Sequence, residues 1–313
     1  MTCIAPRRVV RRRALLPLLG ALAAATLAAA PSTAQAPRDQ LLVTPQWLAA
    51  HIDDPDLVLL HVGDPAAYAR AHIPGARLVR LQDLSTPHQE GALMLEMLPA
   101  DQLRERLQGL GISSSSRIVV YYGADWVSPS TRIVFTLAYA GLGARTSLLD
   151  GGMEAWKEAG QRTTADVPPA RRGRLPELRP ADLIVDAAWV RAHASSPGVA
   201  LIDGRAAAFY DGVQATDRRK GHIPGARSIP FTEITDETLH VKSAAELAAL
   251  FRNAGVKPGD TVVAYCHIGQ QGTAVLFAAR TLGYDVKLYD GSFQDWDART
   301  DLPVETRPAG RTR

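Results

Sequence analysis

Cys266 lies where an apolar run gives way to glycine and polar residues, in the stretch VVAYCHIGQQGT. The apolar run predicts a buried strand and the following TAVLFAARTLG predicts a helix, which places CHIGQQ in a loop between the two. Successive backbone N–H groups of such a loop, together with a helix N-terminus, favour negative charge. These surroundings favour the thiolate, the nucleophilic form of a cysteine. We therefore predict that Cys266 is reactive, and that Gly269 supplies the left-handed or close-approach backbone that the loop needs.

Four sequence blocks occur twice in the chain, in the same order. They pair LVTPQWLAAHI with IVDAAWVRAHA, AHIPGA with GHIPGA, SRIVVYYG with GDTVVAYC, and LLDGGMEAW with LYDGSFQDW. This order indicates a duplicated domain, with copies at residues 41–160 and 183–306. Residues 161–182 are rich in proline and arginine and lack periodicity, which predicts a linker.

Both copies alternate short, continuous apolar runs with helical patterns that end on glycine, such as PADQLRERLQGLG and SAAELAALFRNAG. This alternation predicts an α/β fold in which each domain has a parallel sheet flanked by helices. Ligands of open parallel sheets bind at the carboxyl ends of the strands. Cys266 follows one such strand, TVVAY.

The repeat provides an internal comparison of the two copies. It pairs Cys266 with Gly123, Asp203 with His61, and Arg205 with Gly63. The first copy therefore lacks the thiol, the acid and the base. We predict a catalytic second domain and an inactive first domain that supports it.

Residues that occur in both copies are expected to maintain the fold rather than to react. They are His72 and His222, Asp150 and Asp290, and Trp156 and Trp296. Tyr265, directly before the cysteine, is expected to belong to the core.

Taken together, these blocks resemble the tandem-domain rhodanese sulfurtransferases, across residues 41–306. The resemblance implies that Cys266 takes a sulfane sulfur from a small anionic donor as a persulfide. It then passes that sulfur to a thiophilic acceptor, cyanide or a thiol, without a cofactor. It also implies an active site in a cleft between the domains, so that residues 123–130 (GADWVSPS) would face it.

The resemblance also assigns roles around the cysteine. Arg205 corresponds to an arginine that meets the anionic substrate, and Asp203 is expected to support the loop. The loop residues are expected to contribute backbone donors, with side chains that tune the substrate: His267, Ile268, Gly269, Gln270 and Gln271.

The loop departs from both familiar versions of the family. Thiosulfate-type loops carry basic residues after the cysteine and mercaptopyruvate-type loops carry small ones, whereas this chain has His267 and Ile268. The second arginine of mercaptopyruvate enzymes would fall near Phe209 and is absent. Two expectations for Arg218, Arg219 and Lys220 stay open: positive charge at the cleft mouth, or a solvated surface loop.

The charge of Arg205 and the leader described below favour thiosulfate as the donor, and hence a thiosulfate sulfurtransferase. The first alternative is a 3-mercaptopyruvate sulfurtransferase. The second is a non-enzymatic persulfide carrier that delivers sulfur to a partner protein, because a carrier needs the same loop.

Other classes fit the residues less well. A cysteine phosphatase or arsenate reductase would need an arginine where Gly272 stands, and the next arginine is Arg280, well into the helix. With one cysteine beyond the leader, no CxxC motif and no clustered histidines, a metal site is not expected. The sequence has no basic stripe with interleaved aromatic residues, so nucleic acid is not an expected partner.

Residues 1–36 resemble a signal peptide. Five arginines precede an apolar run without charges, and PSTAQAP follows, with cleavage expected after Ala34 or Ala36. We expect Sec or twin-arginine export to the periplasm or the medium, with no stable membrane insertion after processing. Removing five arginines leaves 30 basic against 32 acidic residues, a net charge of −2, and leaves Cys266 as the one cysteine. The mature chain then cannot form an internal disulfide.

Overall fold

The computed structural model describes residues 1–2, 35–123, 126–169, 171–215 and 218–306. The expected signal peptide and its cleavage zone lie almost entirely outside the described residues. Within the described part of the chain, no helix has the length and apolar character needed to cross a bilayer.

Domain 1 is built on short apolar strands, as its sequence pattern predicts. Its strands are β1 (Leu42–Val43), β2 (Leu57–Val62), β3 (Arg77–Leu78), β4 (Arg117–Tyr122) and β5 (Thr146–Leu149). Its helices are α1 (Gln35–Leu41), α2 (Pro45–His51), α3 (Pro65–Arg70), α4 (Ala100–Gly109), α5 (Val127–Tyr139) and α6 (Gly152–Glu158). Helix α1 begins before residue 41, where the sequence comparison started the domain.

Domain 2 repeats this series of elements. Its strands are β6 (Ile184–Val185), β7 (Val199–Asp203), β8 (Arg227–Ser228), β9 (Thr261–Tyr265) and β10 (Val286–Tyr289). Its helices are α7 (Ala187–His193), α8 (Ala207–Tyr210), α9 (Ala244–Asn253), α10 (Gly272–Thr281) and α11 (Ser292–Ala298).

The two sheets have the same topology. Among the described residues, each has five strands, in the orders β1-β5-β4-β2-β3 and β6-β10-β9-β7-β8. All of their strand pairings are parallel. The predicted duplicated α/β fold is confirmed, and Cys266 follows the central strand of its sheet, β9. The two-residue edge strands were not predicted, because they are too short to carry a periodic pattern.

Helices α5 and α10 pack against each other between the two sheets. Both are buried nearly all round, and their apolar side chains belong to one hydrophobic core that spans the domains. The hydroxyls of Thr131 and Thr273 meet in this interface at 3.0 Å. Each helix directly follows the loop at the end of a central strand, so the interface lies beside the Cys266 loop.

The connecting segment follows domain 1 closely. Gly173 N–H donates to the Gln108 carbonyl at 2.8 Å, and Ala181 N–H donates to the Tyr139 carbonyl at 2.8 Å. Leu175 and Leu178 are buried. The described residues of the segment have extended or irregular backbone without a helix, as its composition predicts.

Candidate active site

Cys266 is fully buried, with an exposed fraction of 0%. Its backbone N–H donates to the Ser292 hydroxyl at 3.1 Å, and its carbonyl accepts from Phe293 N–H at 2.9 Å. The start of α11 therefore fixes both backbone groups of the cysteine. Its position at the carboxyl end of the central strand agrees with the prediction from the sequence.

The loop after the cysteine presents unused backbone donors. Within the described residues, the N–H groups of Ile268, Gly269, Gln270 and Gln271 donate to no other group. Gly269 has φ +78°, which confirms the left-handed backbone predicted for it. Helix α10 begins directly behind the loop and adds the positive end of its dipole. Such a loop is suited to hold a negative charge on the cysteine sulfur.

Asp203 and Arg205 form a buried ion pair beside the cysteine. The Asp203 carboxylate accepts from the Arg205 backbone N–H at 2.9 Å, from Nε at 3.0 Å and from Nη2 at 2.6 Å. Nη2 also donates to the Gly221 carbonyl at 2.7 Å, and the guanidinium lies 4.0 Å from the centre of the Phe293 ring. The two side chains are 0% and 1% exposed. Asp203 therefore supports the site through Arg205.

This pairing controls the charge of Arg205. Burial alone would lower its pKa, but the Asp203 carboxylate outweighs burial, and Tyr265 and Cys266 add to the rise, so the net pKa is raised. Arg205 is thus a permanent cation that lies near the sulfur, with most of its charge compensated by Asp203. The contact between Arg205 and an anionic donor stays a prediction.

His267 and Phe209 meet on one side of the loop. Phe209 lies on α8, and its ring contacts the His267 ring edge-on, with centroids 4.6 Å apart. Both residues are half-buried, as are Ile268, Gln270 and Gln271. An aromatic side chain therefore borders the loop at the position where the resemblance would place a second arginine.

Arg219, in the basic segment of residues 218–220 before the second HIPGA block, bonds residues outside the Cys266 loop. Arg219 donates through Nε to Asp297 at 2.8 Å and through its other nitrogens to the Leu302 and Trp296 carbonyls at 2.6 Å each. Its guanidinium thus ties this segment to α11 and the residues after it, so the expected role at the cleft mouth is not met. Arg218 and Lys220 are exposed.

Domain 1 has no counterpart of the pair of Asp203 and Arg205, because a histidine ring occupies that position. The His61 ring is buried among Tyr68 and Tyr121, and among the described residues neither ring nitrogen has a hydrogen-bond partner. A side chain at Gly63 would bring its Cβ within 2.8 Å of His61 Nε2. Burial, with a contribution from His72, lowers the pKa of His61 to about 4. His61 thus occupies the space beside the position of the missing arginine.

The segment of domain 1 that was expected to face the cleft, residues 123–130, is only partly described. Ala124 and Asp125 lie outside the described residues, and Gly123 corresponds to Cys266. Trp126 stacks on Phe231 of domain 2, with centroids 5.6 Å apart, and the Ser128 hydroxyl accepts from Gln270 Nε2 at 3.1 Å. These described residues of the segment do meet domain 2, as predicted.

The shared histidines have matching structural contacts. His72 Nδ1 lies 2.8 Å from the Tyr68 carbonyl and His222 Nδ1 lies 2.7 Å from the Tyr210 carbonyl, and each ring stacks on that tyrosine. Tyr265 is fully buried in the core and accepts from Ile223 N–H. These contacts agree with the expected roles in the fold.

Two residues near the cysteine were missed by the sequence argument. Ser292 holds the Cys266 N–H while its own φ is +52°, and its counterpart Gly152 has φ +56°. A serine in place of a left-handed glycine, in the second copy alone, was a readable signal of function. The other is Arg132, a buried arginine in the apolar helix α5, which is considered below.

Comparisons with known proteins agree with this geometry. The family model of the rhodanese-like domain matches the chain twice, at residues 44–159 and 186–299. A probable 3-mercaptopyruvate sulfurtransferase of Pseudomonas aeruginosa is 35% identical over 285 residues, covering 85% of this chain and 98% of the relative. A putative thiosulfate sulfurtransferase of Synechococcus elongatus is 29% identical over 314 residues, covering 95% of this chain and 96% of the relative.

Among solved structures, the anaerobic ergothioneine biosynthesis enzyme of Chlorobium limicola has the same fold. It aligns with a TM-score of 0.77 at 23% identity, covering 87% of this chain and 71% of that one. Two matched domains and a sulfurtransferase relative that aligns over most of the chain establish the family. The chain belongs to the rhodanese-like family, among its tandem-domain sulfurtransferases.

Proposed function

We propose that this sulfurtransferase carries sulfur as a persulfide on Cys266. The observation that supports this most is the loop itself, in which four successive N–H groups without acceptors follow the one cysteine of the described residues. Preorganised donors of this kind stabilise the negative charge of a terminal sulfur without rearrangement. Arg205 adds a positive charge nearby, most of which Asp203 compensates.

The reaction has two transfers. The Cys266 thiolate attacks the outer sulfur of the donor, forming an S–S bond, and the donor leaves with the electron pair of the broken bond. Thiosulfate leaves as sulfite, and 3-mercaptopyruvate leaves as the enolate of pyruvate, which takes the thiol proton to give pyruvate. The acceptor, such as cyanide, then attacks the outer sulfur and leaves as thiocyanate, and the Cys266 thiolate is restored.

The charges around the loop favour 3-mercaptopyruvate as the donor, with thiosulfate second. Thiosulfate was expected because of the charge of Arg205 and the leader, but Asp203 compensates most of that charge. A donor with one carboxylate and a thiol suits a site with little net positive charge better than a dianion does.

Steady-state assays with the two donors in parallel test this preference. Wild type should show the higher kcat/KM with 3-mercaptopyruvate. Phe209→Arg supplies the second arginine that the resemblance associates with mercaptopyruvate enzymes. It should therefore raise kcat/KM for 3-mercaptopyruvate more than for thiosulfate, by about 10- to 100-fold, the effect of one charge-assisted hydrogen bond. Phe209→Leu is the matched control, because it removes the ring without adding charge. A wild type that prefers thiosulfate, or a Phe209→Arg variant with an unchanged donor ratio, would contradict this assignment.

The same assays separate an enzyme from a carrier. Repeated turnover with cyanide as acceptor supports an enzyme. A stoichiometric persulfide that discharges onto a single protein partner would support the carrier instead.

We also propose that the chain is exported to the periplasm or the medium. Support comes from the five arginines and the apolar run of the first 36 residues. Cell fractionation followed by N-terminal sequencing of the exported protein tests this. Processing at residue 34 or 36 is expected, and an intact N-terminus in the cytoplasm would contradict it.

A further inference from the structure

Helix α5 of the inactive domain reaches the Cys266 loop with two polar side chains. Arg132 Nη1 donates to the Gly269 carbonyl at 3.0 Å, and the Ser128 hydroxyl accepts from Gln270 Nε2 at 3.1 Å. Both side chains are buried, at 3% and 0% exposure. The two neighbouring residues in the middle of the catalytic loop are therefore fixed from domain 1.

Arg132 is itself held in one geometry. Nη1 also donates to Asp290 Oδ1 at 2.6 Å, and Nη2 donates to the Leu95 carbonyl. The other oxygen of Asp290 accepts from Met97 N–H at 3.0 Å. A planar, charged fork in a buried ion pair of this kind cannot shift without losing several hydrogen bonds.

The direction of one peptide group follows from this contact. In a planar trans peptide, the C=O and the N–H point in opposite directions. The Gly269 carbonyl points at Arg132, so the Gln270 N–H points away from Arg132, and it donates to no acceptor among the described residues. A Cβ at Gly269 would lie 2.7 Å from the Asp290 carbonyl and 3.0 Å from Arg132 Nη1, so the peptide has little freedom to turn.

We propose that Arg132 is a positioning residue of the catalytic domain, supplied by the inactive one: by holding the Gly269 carbonyl, it aims the Gln270 N–H at the sulfur carried on Cys266. Ser128 assists by holding the Gln270 side chain. This inference rests on the proposed persulfide function. It gives the degenerate copy a physical role, because the loop of domain 2 is held in its active geometry from domain 1.

The test compares Arg132→Lys with a matched control, Thr136→Val. Lysine keeps the positive charge for Asp290 but cannot form the fork to Gly269 and Leu95. Thr136 lies one turn along the same buried helix, and its hydroxyl bonds Met97 and the Arg132 carbonyl. Among the described residues it has no hydrogen bond to the loop. Ser128→Ala is a second, milder variant that removes only the contact with Gln270, so the proposal stays testable if Arg132→Lys does not fold.

Three readouts are needed. Single-turnover persulfide formation should slow by about 10- to 100-fold in Arg132→Lys, because a misdirected donor approaches the effect of a missing one. Ser128→Ala should slow it about threefold, the loss of a weak neutral hydrogen bond. KM for the donor should change little in either variant. Deuterium exchange of the amides that donate to loop carbonyls, those of Thr273, Phe293 and Gln294, should accelerate in Arg132→Lys but not in Thr136→Val.

The outcomes separate the two proposals. If wild type gains no sulfur from either donor, the proposed function fails, while faster amide exchange in Arg132→Lys would still establish the positioning contact. If the folded variants react and exchange as wild type does, the positioning role is wrong. Equal losses in Arg132→Lys and Thr136→Val would also overturn it, because they would indicate a general effect on the domain interface.

Discussion

Removing one partner of the buried pair of Asp203 and Arg205 tests how much this pair contributes to the free energy of unfolding. Asp203→Ala removes the acceptor of three Arg205 donors and leaves a guanidinium at 1% exposure without its carboxylate. Breaking a buried ion pair from one side costs about 3–5 kcal/mol. The Gly221 carbonyl and the Phe293 ring still contact the guanidinium, so we expect the lower end, about 3 kcal/mol.

Urea unfolding followed by tryptophan fluorescence measures this loss. With a slope of about 3 kcal/mol per molar urea, the midpoint of domain 2 should fall by about 1 M. Glu154→Ala is the control, because its pair with Lys157 is exposed and should contribute about 1 kcal/mol or less. The double variant Asp203→Leu with Arg205→Met should recover much of the loss, since no charge is left unpaired. A loss for Asp203→Ala as small as that for Glu154→Ala would refute the reasoning.

Four further predictions concern other residues around Cys266 and around the corresponding position in domain 1. The folded-state pKa of His61, about 4, lies below its ordinary value of 6.5, so the unfolded chain binds more protons between these values. Stability should therefore fall by about 3 kcal/mol as the pH drops from 6.5 to 4, and His61→Phe should remove that part of the slope in pH-dependent unfolding. Gly63→Ala should destabilise domain 1 by about 1–3 kcal/mol because its Cβ would meet His61. At Gly123 no atom lies closer than 3.7 Å to an added Cβ, so the free energy of unfolding of Gly123→Cys should stay within about 1 kcal/mol of wild type. A larger loss of stability in Gly123→Cys than in Gly63→Ala would contradict this packing. Ser292→Gly should relieve a left-handed backbone worth about 1 kcal/mol yet slow sulfur transfer, because the Cys266 N–H loses its acceptor; unchanged transfer would show that this contact is dispensable.

Periodicity and repetition in the sequence were enough to predict the fold. The apolar runs of the long central strands alternate with helical patterns that end on glycine, and this alternation predicts a parallel α/β sheet. The same alternation occurs in both copies, and both sheets have the predicted parallel topology. The short edge strands escaped prediction because two residues carry no period. Their position depends on tertiary pairing with β5 and β10, and with β2 and β7.

The place of Cys266 at the end of a central strand, and the loop that follows it, were also predictable, because the first copy has Gly123 at the corresponding position. The partners of Arg205 and Arg219 were not. A sequence shows that an arginine is present, but whether its charge faces a substrate or a carboxylate depends on the local geometry of the chain. Asp203 lies two residues from Arg205, and Asp297 lies far from Arg219 along the chain. In both pairs the carboxylate compensates an arginine charge that was expected from the sequence to attract the anionic donor.

The central claim is that Cys266 carries the transferred sulfur. Intact-protein mass spectrometry after incubation with 3-mercaptopyruvate or thiosulfate tests it most directly, with Cys266→Ser as the control. Wild type should gain the mass of one sulfur atom, lose it again when cyanide is added, and release thiocyanate in equal amount. A wild type that stays unmodified with both donors, or a Cys266→Ser variant that still transfers sulfur, would contradict the account.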